Sequence, residues 1–238
     1  MNATFQIEMC CASVEAIKIA NEQKIHRIEL CQNLDVGGIT PSVGLFYFAR
    51  DLDINTHVLV RPRSGGFFYS ADEKKIMLKD IEFLNENGAN GLVIGALNED
   101  FSLDVEFLKE VKHHSSKMEL TFHRAFDEVM NWKKVMDLLV EIGFKRILTS
   151  GRVPNIKHSY QNFKDMISFS NGRIEIMPGG GVNAENAVEL IKELNINSIH
   201  FSGTSKKTID DKSFFSTSSL EVDEQRVHRI LTSIRSII

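Results

Sequence analysis

The chain has 238 residues, 42% of them hydrophobic and 25% charged, ordinary proportions for a soluble globular protein with a sizeable core. Its 32 acids and 28 bases leave a formal net charge of -4 at pH 7, which gives no electrostatic case for nucleic acid or an anionic membrane as partner. The first residues lack a basic segment followed by an apolar one, and no apolar run reaches the roughly 18 residues of a membrane span, so a cytoplasmic protein is expected.

Taken in chain order, β-rich runs that each precede a helical pattern fall at 5–10, 26–31, 56–61, 91–95, 118–123, 145–149, 173–177 and 198–201. Helical spacing follows near 13–22, 42–51, 72–87, 102–116, 131–142, 156–170, 183–194 and 222–237. Ser70-Ala-Asp-Glu73 is a capping box, Pro41 suits a first helical turn, and Gly88 and Gly143 end helices as left-handed caps do. Thr204 to Leu220 is polar and rich in Ser and Thr, the pattern of a mobile loop.

Strict β-then-α alternation implies parallel strands joined by crossover helices, in an open sheet or a closed barrel. Eight such units without a linker or a break in composition favour closure. The expectation is α/β: a single (β/α)8 TIM-type barrel over 1–238 with an additional C-terminal helix.

Alternation along each strand separates two faces. Ile7 and Met9, Ile28 and Leu30, Val58 and Val60, Leu120 and Phe122, and Ile199 and Phe201 suit the face under the helices. The opposite face carries Glu8 and Cys10, Arg27 and Glu29 and Cys31, Arg61, Glu119 and His123, Glu175, and His200 and Ser202. Buried charges persist when paired, so these acids and bases should neutralise one another. Arg27, Glu119 and Glu175 come early in their strands and read as structural partners. Cys10, Cys31, Arg61 and His123 end their strands, where barrels of this type keep their chemistry.

Several groups at that end could act on a ligand. Arg61-Pro-Arg63-Ser-Gly-Gly66 offers two guanidinium groups and two glycines suited to a carboxylate or phosphate, or Arg61 pairs with Glu29 across the barrel. Glu8, Glu29 and His123 are candidates for acid/base catalysis, with Arg124 leading the next loop and Asp127 near enough to orient either neighbour. Glycine-rich turns after strands 7 and 8, with Gly179 and Gly180 in one and Ser202 and Gly203 in the other, suit a phosphate, and Ser150 and His200 join this anion-binding set. Cys10 and Cys31 either fill space as small apolar groups or act as soft ligands for Cu(I). Three cysteines, two of them adjacent, do not make a secreted disulfide framework.

The Glu-x-Cys runs ending at Cys10 and Cys31, Gly37-Gly38-Ile-Thr-Pro41-Ser42, Arg61-Pro-Arg-Ser-Gly-Gly66, Thr121-Phe-His-Arg-Ala-Phe-Asp127, Leu148-Thr-Ser-Gly151 and Met177-Pro-Gly-Gly-Gly181 together resemble the CutC copper-homeostasis family. The resemblance runs from the first strand to about residue 203. It implies a TIM-type barrel in a cytoplasmic homo-oligomer, dimer or tetramer, that binds Cu(I) through the cysteines matching Cys10 and Cys31. The other expectation, drawn from the residues alone, is an enzyme acting on a small anionic ligand.

Overall fold

In the computed structural model, which describes residues 5–153, 156–208 and 218–238, eight parallel strands form one sheet in the order β7-β6-β5-β4-β3-β2-β1-β8. They are β1 (Gln6–Cys11), β2 (Arg27–Leu30), β3 (Thr56–Leu59), β4 (Gly91–Ile94), β5 (Glu119–Phe122), β6 (Arg146–Thr149), β7 (Glu175–Pro178) and β8 (Ser198–Phe201). The helices are α1 (Val14–Glu22), α2 (Val43–Asp51), α3 (Ala71–Glu86), α4 (Val105–His114), α5 (Trp132–Ile142), α6 (Tyr160–Ser170), α7 (Ala187–Leu194) and α8 (Glu224–Arg235). The C-terminal helix takes the eighth place in the ring: α8 packs on α7, and Arg235 donates to the Gln23 carbonyl just past α1.

Most local signals fall where expected, but Pro41 lies before the Ser42 cap of α2 and not in its first turn. Ser70 caps α3 and forms the reciprocal capping box with Glu73, while Gly143 ends α5 at φ 99°. Ile7, Met9, Ile28, Leu30, Val58 and Val60 face outward into one continuous core between sheet and helices. Inside the barrel a much smaller apolar layer remains, made of Cys10, Cys31, Leu59 and Val93.

The rest of the interior is polar and paired. Arg146 donates to Glu175 and to Glu119, each at 3.1 Å, and to Thr121 at 3.2 Å. Arg27 pairs with Glu8. On β4 the inward positions flanking Val93 are Gly91 and, one residue past the strand, Gly95; a Cβ there would come within 2.3 Å of the His57 ring or 2.4 Å of the His123 ring. The two glycines make room for two imidazoles.

β7 and β8 lie side by side without a backbone ladder between them, so the barrel has one seam among the described residues. The Ser198 hydroxyl crosses it to donate to Glu175. The polar stretch after β8, expected to be a loop, instead forms the arms of an antiparallel ribbon, β9 (Thr204–Thr208) and β10 (Ser218–Val222). Cross-strand pairs such as Lys207 with Glu221, 3.2 Å apart, let so polar a segment pair at the surface. The part of that expectation on 209–217 lies outside the described residues.

Candidate functional site

The deepest charged group is Glu8, fully buried on β1. One oxygen accepts from Arg27, and the other lies 2.7 Å from Nδ1 of His200 on β8. Burial alone would push its pKa up. The bond from His200 and the charge of Arg27 outweigh burial and hold the carboxyl well below the usual carboxylate range. Nε2 of His200 stands 3.5 Å from Glu29 on β2.

Burial draws the His200 pKa down, but the charge of Glu29 and the bond to Glu8 together raise it above the ordinary value. The Glu29 pKa is raised as well, chiefly by burial. Glu8 thus fixes one imidazole nitrogen and leaves the other beside a carboxyl whose proton is held unusually well. That is an arrangement for moving a proton.

Glu29 and His200 line a cavity of about 710 Å³ at the C-terminal mouth of the barrel. Cys10 lines it too. Its Sγ lies 3.5 Å from Sγ of Cys31, which is sealed from solvent. The hydrogen bond with Cys31, burial and the Glu29 charge push the Cys10 pKa well above that of a free thiol. Cys10, Glu29 and His200 offer ligand atoms within 4.8 Å of one another.

On the next wall stand Arg61, two residues past β3, and His123, one residue past β5. Arg61 donates to the carbonyls of Val36, Gly38 and Gly65 at 2.9, 2.8 and 2.6 Å, so it ties two loops together and does not bond Glu29 as the pairing alternative required. His123 accepts the Ala125 amide at Nδ1, 3.1 Å away, and lies against Phe67 at 4.8 Å between ring centroids. Burial, reinforced by Arg61, lowers its pKa to about 3, so it is neutral and a poor general acid or base.

Asp127 orients Arg124, at 3.0 Å, and not His123. It also accepts from the Ser150 amide and hydroxyl, at 3.2 and 2.9 Å, while that hydroxyl accepts from Arg124 at 3.2 Å. The guanidinium is thereby laid against Gly180, where a Cβ would come within 3.0 Å of it. Opposite stand Ser202, Gly203 and Thr204, with Arg226 of α8 held by the Thr204 carbonyl at 3.1 Å. Among the described residues no hydrogen bond occupies the amides of Gly180, Gly181 or Ser202.

Of the residues singled out in the sequence, Cys10, Glu29, Arg61, His123, Arg124, Asp127, Ser150, Gly180, His200, Ser202 and Gly203 line one cavity. Glu8 and Cys31 lie beneath its floor. Gly179 is packed inward, where a Cβ would meet Leu148 at 2.5 Å. Arg63 does not border the cavity: it bonds Glu73 and the Phe68 carbonyl and anchors the start of α3. Arg226 and Phe67 also border the cavity; Phe67, between Gly66 and the helix cap, has a local signature in the sequence, and Arg226 has none.

The sequence model of the CutC family matches residues 5–205. A "family protein CutC" of Bacteroides fragilis is 38% identical over 200 residues, 83% of this chain and 80% of that one. Its namesake in Treponema denticola is 37% identical over 203 residues, covering 85% and 82%. Among solved structures, a CutC protein of Streptococcus agalactiae, provisionally assigned there to copper homeostasis, superposes with a TM-score of 0.79 at 34% identity, over 84% of this chain and 99% of that one. An aldolase at 18% identity and TM-score 0.62, covering 85% and 92%, shares the barrel fold. With the matched family model spanning most of the barrel and relatives this similar along their length, the chain belongs to the CutC family.

Proposed function

We propose that the protein is an enzyme that performs acid/base chemistry on a small anionic substrate at the mouth of the barrel. The observation that carries this reading is His200, held between Glu8 at 2.7 Å and Glu29 at 3.5 Å on the floor of the cavity. In this reading Glu29 and His200 exchange the proton, and Glu8 is a positioning residue that holds the imidazole. The anion sits higher, between Arg124, Arg226 and the open amides of Gly180, Gly181 and Ser202, donors suited to phosphate or carboxylate. Three free cysteines suit a reducing compartment, which supports a cytoplasmic location. No helix among the described residues is long and apolar enough to cross a membrane.

The test is a thermal-shift screen with inorganic phosphate, phosphate monoesters and small carboxylates. At least one should stabilise the protein saturably, and Arg124→Gln should weaken that response about tenfold or more. If none stabilises it at millimolar concentration, the reading fails.

A second reading rests on the thiols. Two sulfurs 3.5 Å apart, with an imidazole and a carboxyl at hand, form a donor set that fits Cu(I), and Glu8 behind His200 is the outer partner a metal-bound histidine usually has. Bound copper would be held by the sulfurs of Cys10 and Cys31 at the cavity floor, with His200 in reach on the Cys10 side. Against this reading, Cys31 has no solvent access and the Cys10 proton is tightly held. Anaerobic titration decides: the wild type should take up Cu(I) that a Cys10→Ser/Cys31→Ser variant does not, and equal uptake sinks the idea.

A further inference from the structure

Most buried polar groups in a folded protein find a hydrogen-bond partner, so those that do not require an explanation. Two of them stand together on one wall of the cavity. Among the described residues, neither Nε2 of His123 nor Nε of Arg61 has a partner, and both atoms are buried. The residues follow the strands on either side of β4, whose inward glycine at 95 puts no side chain between them. Phe67 lies over both, 4.8 Å from the His123 ring centroid and 5.2 Å from Cζ of Arg61.

The tautomer of His123 follows from its other nitrogen. Nδ1 accepts the Ala125 amide proton at 3.1 Å, so in the neutral ring the proton is on Nε2. Arg61 has no acceptor at all, and its remaining nitrogens are spent on backbone carbonyls. The corner therefore presents two N–H donors beside a phenyl ring. A ligand hydroxyl placed there would bring a proton for which only the Tyr69 oxygen, beside Arg61 and itself unpartnered among the described residues, is at hand. A carbonyl oxygen brings none, and can accept from both donors.

Resting on the acid/base reading above, we infer that the substrate is a small anionic aldehyde or ketone, whose carbonyl oxygen accepts from Nε2–H of His123 and Nε–H of Arg61. The step this geometry serves is proton removal from the carbon next to the carbonyl. The C–H bond breaks and its proton passes to the Glu29 carboxylate. The bonding pair becomes a C=C bond, and the carbonyl π pair moves onto the oxygen facing the two donors. Return of the proton from Glu29 to the same carbon restores the carbonyl and completes an exchange of that hydrogen without oxidant or reductant. A neutral donor suits this role, since it stabilises the developing negative charge without giving up its proton. Phe67 lines the cavity and screens this corner from its open end.

Calorimetric binding of matched oxo and hydroxy acids tests this directly. The probes are pyruvate with lactate, 2-oxoglutarate with 2-hydroxyglutarate, and dihydroxyacetone phosphate with glycerol 3-phosphate. In at least one pair the carbonyl member should bind the wild type tenfold or more tightly than its alcohol. His123→Phe, which leaves only the Arg61 donor, should lower that ratio severalfold, and His123→Gln, which keeps a donor, should restore part of it. Should His123→Phe fail to fold, Gly95→Ala, whose new Cβ displaces the same ring, gives the same readout. If carbonyl and alcohol bind equally in every pair that binds, or the ratio survives both His123→Phe and Gly95→Ala, this inference falls and the anion reading stands. If no member of any pair binds, this inference falls, and the anion reading falls with it when the phosphate and carboxylate screen is silent too.

Discussion

Acidification from pH 7 to pH 5 should weaken the fold through imidazoles that cannot charge where they sit. His57 is 1% exposed, facing Gly91 inside the barrel, and burial lowers its pKa to about 3. In the unfolded chain the same ring binds its proton near about 6.5. Between those values the unfolded state holds a proton that the folded state refuses, so the stabilisation is whole above about 6.5 and is lost as the pH falls toward 3. The slope approaches about 1.4 kcal/mol per pH unit, and integration from pH 7 to pH 5 gives about 2 kcal/mol for this one ring. His123, also with a pKa of about 3, adds a similar amount. His200 acts the other way: its raised pKa stabilises the fold below about 6.5, and that contribution fades as the pH rises through the folded value. Absolute stabilities therefore mix opposing effects, and the decisive comparison is between variants. Urea unfolding at pH 7 and pH 5 should show the loss of stability on acidification shrinking by about 2 kcal/mol in His57→Gln relative to wild type. An unchanged loss would refute the claim that this ring is held neutral.

Glu8→Gln leaves Arg27 buried without its counter-charge, and urea unfolding should record a loss of about 3–5 kcal/mol. Arg61→Lys cannot reach three carbonyls from one ammonium, so unfolding should register about 3 kcal/mol, and limited proteolysis should find the loops around Gly38 and Gly65 first. Gly91→Ala drives a methyl group into the His57 ring, and a loss of about 1–3 kcal/mol in the same assay is expected.

Strand parity carried most of what could be read in advance. Glu8, Cys10, Arg27, Glu29, His123 and His200 sit on the inner face that alternation assigns them, because a two-residue period admits no other placement once Ile7, Met9, Ile28 and Leu30 are turned to the helices. The same rule, extended to the sixth and third strands, would have found Arg146, which completes the lower charge layer, and the neutral His57 beside it. Partners were harder to read. Arg61 bonds loop carbonyls because Gly38 brings its loop so close that a Cβ would stand 2.8 Å from Leu59, a fact of tertiary approach with no local signature. The ribbon of β9 and β10 left no alternation to detect, since a surface pair of strands needs no apolar face. Arg226 comes from the first turn of α8, far along the chain, and only closure of the barrel sets it beside Thr204.

The seam between β7 and β8 changes how the barrel can breathe. A cylinder stitched by backbone ladders everywhere but along one line spreads most easily along that line, and there, among the described residues, the Ser198 hydroxyl on Glu175 is the one hydrogen bond between the edges. The open amides of Gly180 and Ser202 stand on opposite lips of this gap. An anion gripping both would act as a rivet, turning local binding into stiffness of the whole cylinder. Slowed amide exchange along β7 and β8 would register it, well before any change in shape.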